Sequence, residues 1–136
     1  MESIDSQFPF SRFRKTLNNL TRAQCSLLMQ IRSGHIPLNA HLHRINCANT
    51  KYCQACENIQ PTPQPETVNH FIFECPAYND KRRELEKVLP PQNKSLKSIF
   101  ADLKHTRALL QYIGRTGRLK DNFGDVSHSL PGNEQA

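Results

Sequence analysis

The chain has no tryptophan and only five glycines in 136 residues, and no segment approaches the roughly 20 consecutive apolar residues of a membrane-crossing helix. The first absence removes the side chain with the largest apolar surface, and aromatic residues make up only 7% of the sequence. The second leaves no glycine-rich loop to cradle a phosphate. Acidic residues are scarce where they would matter most. Between Ser6 and Pro65 the only one is Glu57, against Arg12, Arg14, Lys15, Arg22, Arg32, Arg44 and Lys51. No nucleophile–base pair and no acidic cluster stands out, so an enzyme is not expected, nor is a small-molecule substrate. The stretch Met1–Asp5 lacks the apolar run of a secretory leader. A reducing interior, nuclear or cytoplasmic, is expected in place of secretion.

Five cysteines are an odd number, and Cys53 and Cys56 stand too close for an ordinary structural bridge. In a reducing compartment such residues bind metal and not each other. Cys53, Cys56, His70 and Cys75 follow the spacing Cys-x2-Cys-x13-His-x4-Cys. Two cysteines around two residues form a knuckle whose sulfurs converge, and a later His and Cys complete a tetrahedron around Zn²⁺ with no position left for water. Cys47 is an alternative ligand just upstream. Cys25, beside Leu27 and Leu28, reads as a small packing residue. His41 and His43, two apart on a helix, diverge. A deaminase-type catalytic zinc needs His-x-Glu before Pro-Cys-x-x-Cys; here the order is reversed, and Glu74 lies four residues after His70.

The remaining pattern is helical. Thr21-Arg-Ala-Gln24 fits a capping box, and Leu20, Ala23, Leu27, Leu28 and Ile31 recur at helical spacing up to Gly34. Pro37 opens a shorter helix through Leu42 and Ile45. Thr67 caps a short helix through Phe73, for which a strand is the competing reading. His70 and Cys75 are five apart, about 500° of α-helical rotation, so the helix has to loosen before Cys75. An amphipathic helix from Tyr78 to Leu89 ends at Pro90, and its Lys81–Lys87 charges read as a solvated face. A further helical face runs through Leu96, Ile99, Phe100 and Leu103, then Leu109, Leu110 and Ile113 until Gly114. The sequence thus predicts a mostly α, small helical domain over residues 17–114, stapled by a CCHC zinc knuckle over 47–76. A disordered basic arm over 1–16 and a disordered tail over 115–136 flank it.

The one-sided charge of the first half points to a polyanionic partner, RNA or DNA. Arg22, Arg32, His35, His43, Arg44 and Lys51 are the candidate contacts. Arg32 and His35 bracket Gly34, where a guanidinium and an imidazole at a bare turn suit a phosphate.

Three segments in order carry a resemblance: Leu28-Met-Gln-Ile-Arg-Ser-Gly-His-Ile-Pro-Leu38, the Cys53–Cys56 knuckle, and Glu66-Thr-Val-Asn-His70-Phe through Cys75-Pro76. Together they resemble the C-terminal zinc-binding tail of non-LTR retrotransposon reverse transcriptases of the fungal type, and Tyr112-Ile-Gly-Arg-Thr-Gly-Arg-Leu119 adds to this. The resemblance implies a nucleic-acid grip that works beside an upstream polymerase domain. The polymerase carboxylates and the ribonuclease H acidic cluster are missing from this chain, so it reads as a detached tail. A partner polymerase packing on the Leu96–Leu103 and Leu109–Ile113 faces is the alternative use of the module.

Overall fold

The computed structural model describes residues 14–15, 17–89 and 95–127. Most of the expected basic arm and residues 128–136 of the expected tail lie outside the described residues.

Helix α1, Arg22–Ser33, begins as the sequence dictates. The Thr21 side chain accepts the Gln24 N–H at 3.1 Å, and the Gln24 amide oxygen accepts the Thr21 N–H at 2.9 Å. It ends at Gly34, whose φ of 83° lets its N–H turn back to the carbonyls of Gln30 and Ile31. Helix α2, Asn39–Arg44, starts two residues beyond Pro37, and its first N–H, that of Asn39, donates to the Glu66 carboxylate at 2.7 Å. A loop then returns on itself through the isolated antiparallel bridge Tyr52–Pro65. Among the described residues there is no strand longer than that bridge.

The chain next forms a π-helical turn, His70–Glu74, and one 3₁₀ turn, Pro76–Tyr78. Helices α3 (Asn79–Val88), α4 (Leu96–Ala101), α5 (Leu103–Thr116) and α6 (Lys120–Phe123) follow. The break between α4 and α5 is made by Asp102. Its backbone is extended, and its carboxylate accepts the Lys104 N–H at 2.8 Å, capping a new helix where the apolar pattern alone read straight through.

Helix α5 is the axis of the molecule and packs along both α3 and α4. Leu109, Leu110, Tyr112 and Ile113 from α5 are almost fully buried. They meet a core that includes Leu27, Leu28 and Ile31 of α1, Phe71 and Ile72 of the π-turn, Leu85 of α3, and Ile99 and Phe100 of α4. Each such side chain contributes about 1.5–3 kcal/mol by leaving water. The faces expected to await a polymerase are therefore turned inward. Ile99, Phe100, Leu109, Leu110 and Ile113 complete this chain's own core, with Leu96 and Leu103 half-buried against it.

The C-terminal boundary differs from the sequence reading. Gly114 does not stop α5; Gly117 does, at φ 67°. Residues 115–127, the start of the expected disordered tail, thus comprise the last turn of α5, the Gly117 cap, α6 and a segment packed on the core. Leu119 and Val126 enter the core, and the Gln24 side chain donates to the Val126 carbonyl at 2.7 Å. With Phe123, half-buried against the same core, they fall at i, i+4 and i+7, too short a run in a polar stretch to stand out in the sequence.

Candidate metal centre and basic surface

The centre is assembled from two segments. Cys53 and Cys56 come from the knuckle loop, which is tied at its base by the Cys53 N–H to the Gln64 carbonyl at 2.7 Å. His70 and Cys75 come from the π-turn. Thr67 starts that segment by accepting the His70 N–H on its hydroxyl at 3.1 Å. The widened turn is closed by the Cys75 N–H donating to the His70 carbonyl at 2.7 Å, a five-residue bond. An α-helix would rotate Cys75 away from His70; the extra residue in the turn brings both to one side. Such turns concentrate at functional sites.

All four ligand atoms lie within 4.8 Å of one another, and all four residues are buried. The Sγ atoms of Cys53 and Cys75 are 3.8 Å apart, and Cys56 Sγ is 3.5 Å from His70 Nε2. A regular tetrahedron with Zn–S near 2.3 Å and Zn–N near 2.0–2.1 Å has edges of about 3.8 Å between sulfurs and about 3.6 Å between sulfur and nitrogen. The donor set and its spacing fit a structural Zn²⁺ site.

Electrostatics argue the same way. Burial, the leading cause, pushes the Cys75 thiol up to about 12 and raises Cys56 as well, and the Cys53 thiol adds to both. Three sulfurs in one dry pocket do not ionise together unless a cation joins them. His70 is held below the ordinary histidine value, first by burial. It therefore presents the neutral imidazole that a metal requires. Its Nδ1 sits 4.0 Å from the exposed Glu74 carboxylate, beyond hydrogen-bond distance.

Three thiolates, one imidazole and Zn²⁺ carry one net negative charge. Arg82 stands against it. This residue was expected on the solvated face of α3, yet it is 3% exposed. Its guanidinium donates to the Ile72 carbonyl at 2.7 Å, the Cys75 carbonyl at 2.8 Å, Asn79 Oδ1 at 2.9 Å and Tyr112 Oη at 3.2 Å. Tyr112 in turn donates its hydroxyl to the Phe71 carbonyl. The open carbonyls of the π-turn thus find partners on α3 and α5, and a buried cation lies beside an anionic centre. Neighbouring Asp80–Arg83 and Glu84–Lys87 pairs are exposed, as the charge pattern implied.

A second linkage ties the knuckle to the C-terminal end. Glu66, 2% exposed, takes a two-pronged contact from Arg118 at 2.7 Å on each oxygen, beside the Asn39 N–H. The Asn39 side chain donates onward to the Tyr52 carbonyl at 2.8 Å. Sequence reasoning missed Glu66, Arg82, Tyr112 and Arg118 as supports of the centre. For Arg82 a signal existed: it falls three residues before Leu85 and seven before Leu89, on the apolar stripe of α3.

Cys47 is exposed and stands outside the cluster, so the alternative ligand set is not the one formed. Cys25 packs as expected, with its thiol 3.2 Å from the Leu17 carbonyl. Of the candidate nucleic-acid contacts, Arg22, His35, His43, Arg44 and Lys51 are exposed. Arg32 is not; at 6% exposure it belongs to the buried edge of α1, one turn beyond Leu28, and is withdrawn from the surface set. His35 stacks instead on His41, ring centroids 5.1 Å apart. Burial, then His35 and Arg44, hold His41 below the ordinary histidine value. No helix among the described residues is long and apolar enough to cross a membrane. No protein-family model, curated protein or solved structure matches the chain, and the geometry of the four ligands carries the assignment.

Proposed function

We propose that this chain is a non-catalytic, zinc-stapled module that binds RNA or DNA, of the kind that ends non-LTR retrotransposon reverse transcriptases. The observation that carries the reading is the basic first half. Arg14, Lys15, Arg22, Arg44 and Lys51 are all exposed, with His35 and His43 among them, and Glu57 is the only acid from Ser6 to Pro65. A segment that exposes cations with almost no acids among them draws polyanions. The metal site supports a structural role, since four protein ligands leave no coordination position for water or substrate.

Five phosphate contacts by these cations give a slope of about −4.5 for the logarithm of duplex affinity against the logarithm of salt, and a shallower one for single strands. Titration of labelled oligonucleotides at several salt concentrations measures it. A flat response contradicts nucleic-acid binding. Charge reversal at Arg44 and Lys51 together weakens binding without loss of zinc or helicity; unchanged affinity removes both from the interface.

A further inference from the structure

Beside the metal centre lies a cavity of about 240 Å³, lined in part by the ligand Cys53. Its lining includes Thr50, Tyr52, Gln54, Glu57, Gln60 and Pro61. Tyr52 is unusual in this molecule. Tyr112 is fully buried and Tyr78 half-buried, both packed against Phe71, whereas Tyr52 is 39% exposed. The Lys51 ammonium sits over its ring, 5.5 Å from the centroid.

The cavity is also held rigidly. The Tyr52 carbonyl is fixed by Asn39, its N–H by the Thr50 hydroxyl at 3.2 Å, and the Lys51 carbonyl accepts the Glu66 N–H at 2.9 Å. Cys53, the next residue, is a metal ligand. The backbone that carries the Tyr52 ring is thus anchored on both sides.

We infer that this cavity takes one unpaired nucleobase of a single-stranded nucleic acid, stacked on Tyr52, with the adjoining phosphate on Lys51. The inference rests on the nucleic-acid reading above and names the form of the ligand. Its volume falls below the ~300–1,000 Å³ of pockets for drug-sized ligands, which suits one ring system. An exposed aromatic face beside a cation is the elementary unit of single-strand recognition. The side-chain amides of Gln54 and Gln60 and the Thr50 hydroxyl both donate and accept, and Glu57 accepts. Those groups match the mixed donor–acceptor edge that a base exposes only when unpaired. In a duplex that edge is occupied and the ring is stacked within the helix.

The test uses the full zinc-loaded chain and three probes of equal length: a labelled single strand, the same strand made abasic, and a duplex. Removing a stacking partner costs roughly 5- to 150-fold in affinity. Tyr52→Leu is expected to weaken single-strand binding within that range, Tyr52→Phe to retain it, and neither to change duplex binding. The abasic strand on the unmodified protein is expected to bind as weakly as the normal strand binds Tyr52→Leu, an arm that does not depend on any variant folding. Equal affinity for normal and abasic strands, with salt-dependent binding intact, overturns the base site and leaves the nucleic-acid reading standing. Absence of salt-dependent binding to all three probes overturns both.

Discussion

Arg82 shows how much of the centre depends on a residue that never touches the metal. Its guanidinium holds the carbonyls of Ile72 and Cys75, and so fixes the turn that aims Cys75. Replacing it by Met leaves those carbonyls without donors and an anionic centre without its cation. Partners of this kind typically contribute about 10–100-fold to metal affinity. Arg82→Met is therefore expected to weaken zinc binding by about that factor in a chelator competition; unchanged affinity makes Arg82 a packing residue only. The second residue-scale prediction concerns acid. Burial lowers the His70 pKa on folding. A base whose pKa falls on folding contributes stability that is present above its unfolded value of about 6.5 and is lost as pH falls toward the folded one. Protons also compete with the metal for imidazole and thiolates, so the two effects have one sign. Bound zinc and helicity are expected to decline together below about pH 6.5, and full retention of both at about pH 4 contradicts this. The four ligands were legible because spacing alone encodes convergence. Arg82 was not, because a cation flanked by Lys81 and Arg83 reads as solvated until its register against Leu85 is weighed.

At the scale of elements, local signals that are self-contained were read correctly and long-range ones were not. Thr21, Gln24 and Gly34 bound α1 with groups that lie within or beside it. The loosening before Cys75 followed from counting rotations, although its form as a π-turn did not. Gly114 and Gly117 mark the limit. Both are candidate stops three residues apart, and the choice depends on residues far away in sequence. Gly117 has the left-handed φ of 67° with open space where a Cβ would go, so Gly117→Ala is strained by backbone conformation alone. It is expected to cost about 1–2 kcal/mol in urea unfolding. Gly114 is helical, and a Cβ there would stand 3.0 Å from the Ser127 Cβ. Gly114→Ala gains about 1 kcal/mol of helix propensity while pressing on the 125–127 segment. Global stability is expected to stay within about 1 kcal/mol, with faster proteolysis after Gly124. Stabilisation by Gly117→Ala would show that α5 does not end there.

Across the whole molecule, α5 and the metal centre share the work of holding the fold together. The helices on α5 bury a small core, and the knuckle loop from Asn46 to Gln64 adds few apolar side chains to it. Besides the Tyr52–Pro65 bridge and the Asn39 side chain on the Tyr52 carbonyl, the ligands fasten that loop, and the Glu66–Arg118 contact holds the segment that follows it. Glu66 and Arg118 lie 52 residues apart, and no sequence period links such a pair. Glu66→Gln leaves Arg118 without its carboxylate and α2 with a weaker cap. It is expected to cost about 3 kcal/mol and to expose residues 118–127 to protease before the rest; a uniform loss of stability counts against a local tie. The ion's contribution is as large as the net stability of a whole domain. Structural zinc contributes about 10–16 kcal/mol of apparent binding free energy in finger peptides, while a whole domain retains only about 5–15 kcal/mol of net stability. Removing the ion should therefore unfold the middle of the chain. The most direct measurement is metal content of the purified protein, followed by circular dichroism and tryptic digestion before and after chelation. One zinc per chain, with helicity lost and the knuckle cleaved on chelation and both restored by Zn²⁺, is the expected result. Protein that carries no metal, or keeps its spectrum and its tryptic pattern without it, contradicts a zinc-stapled fold.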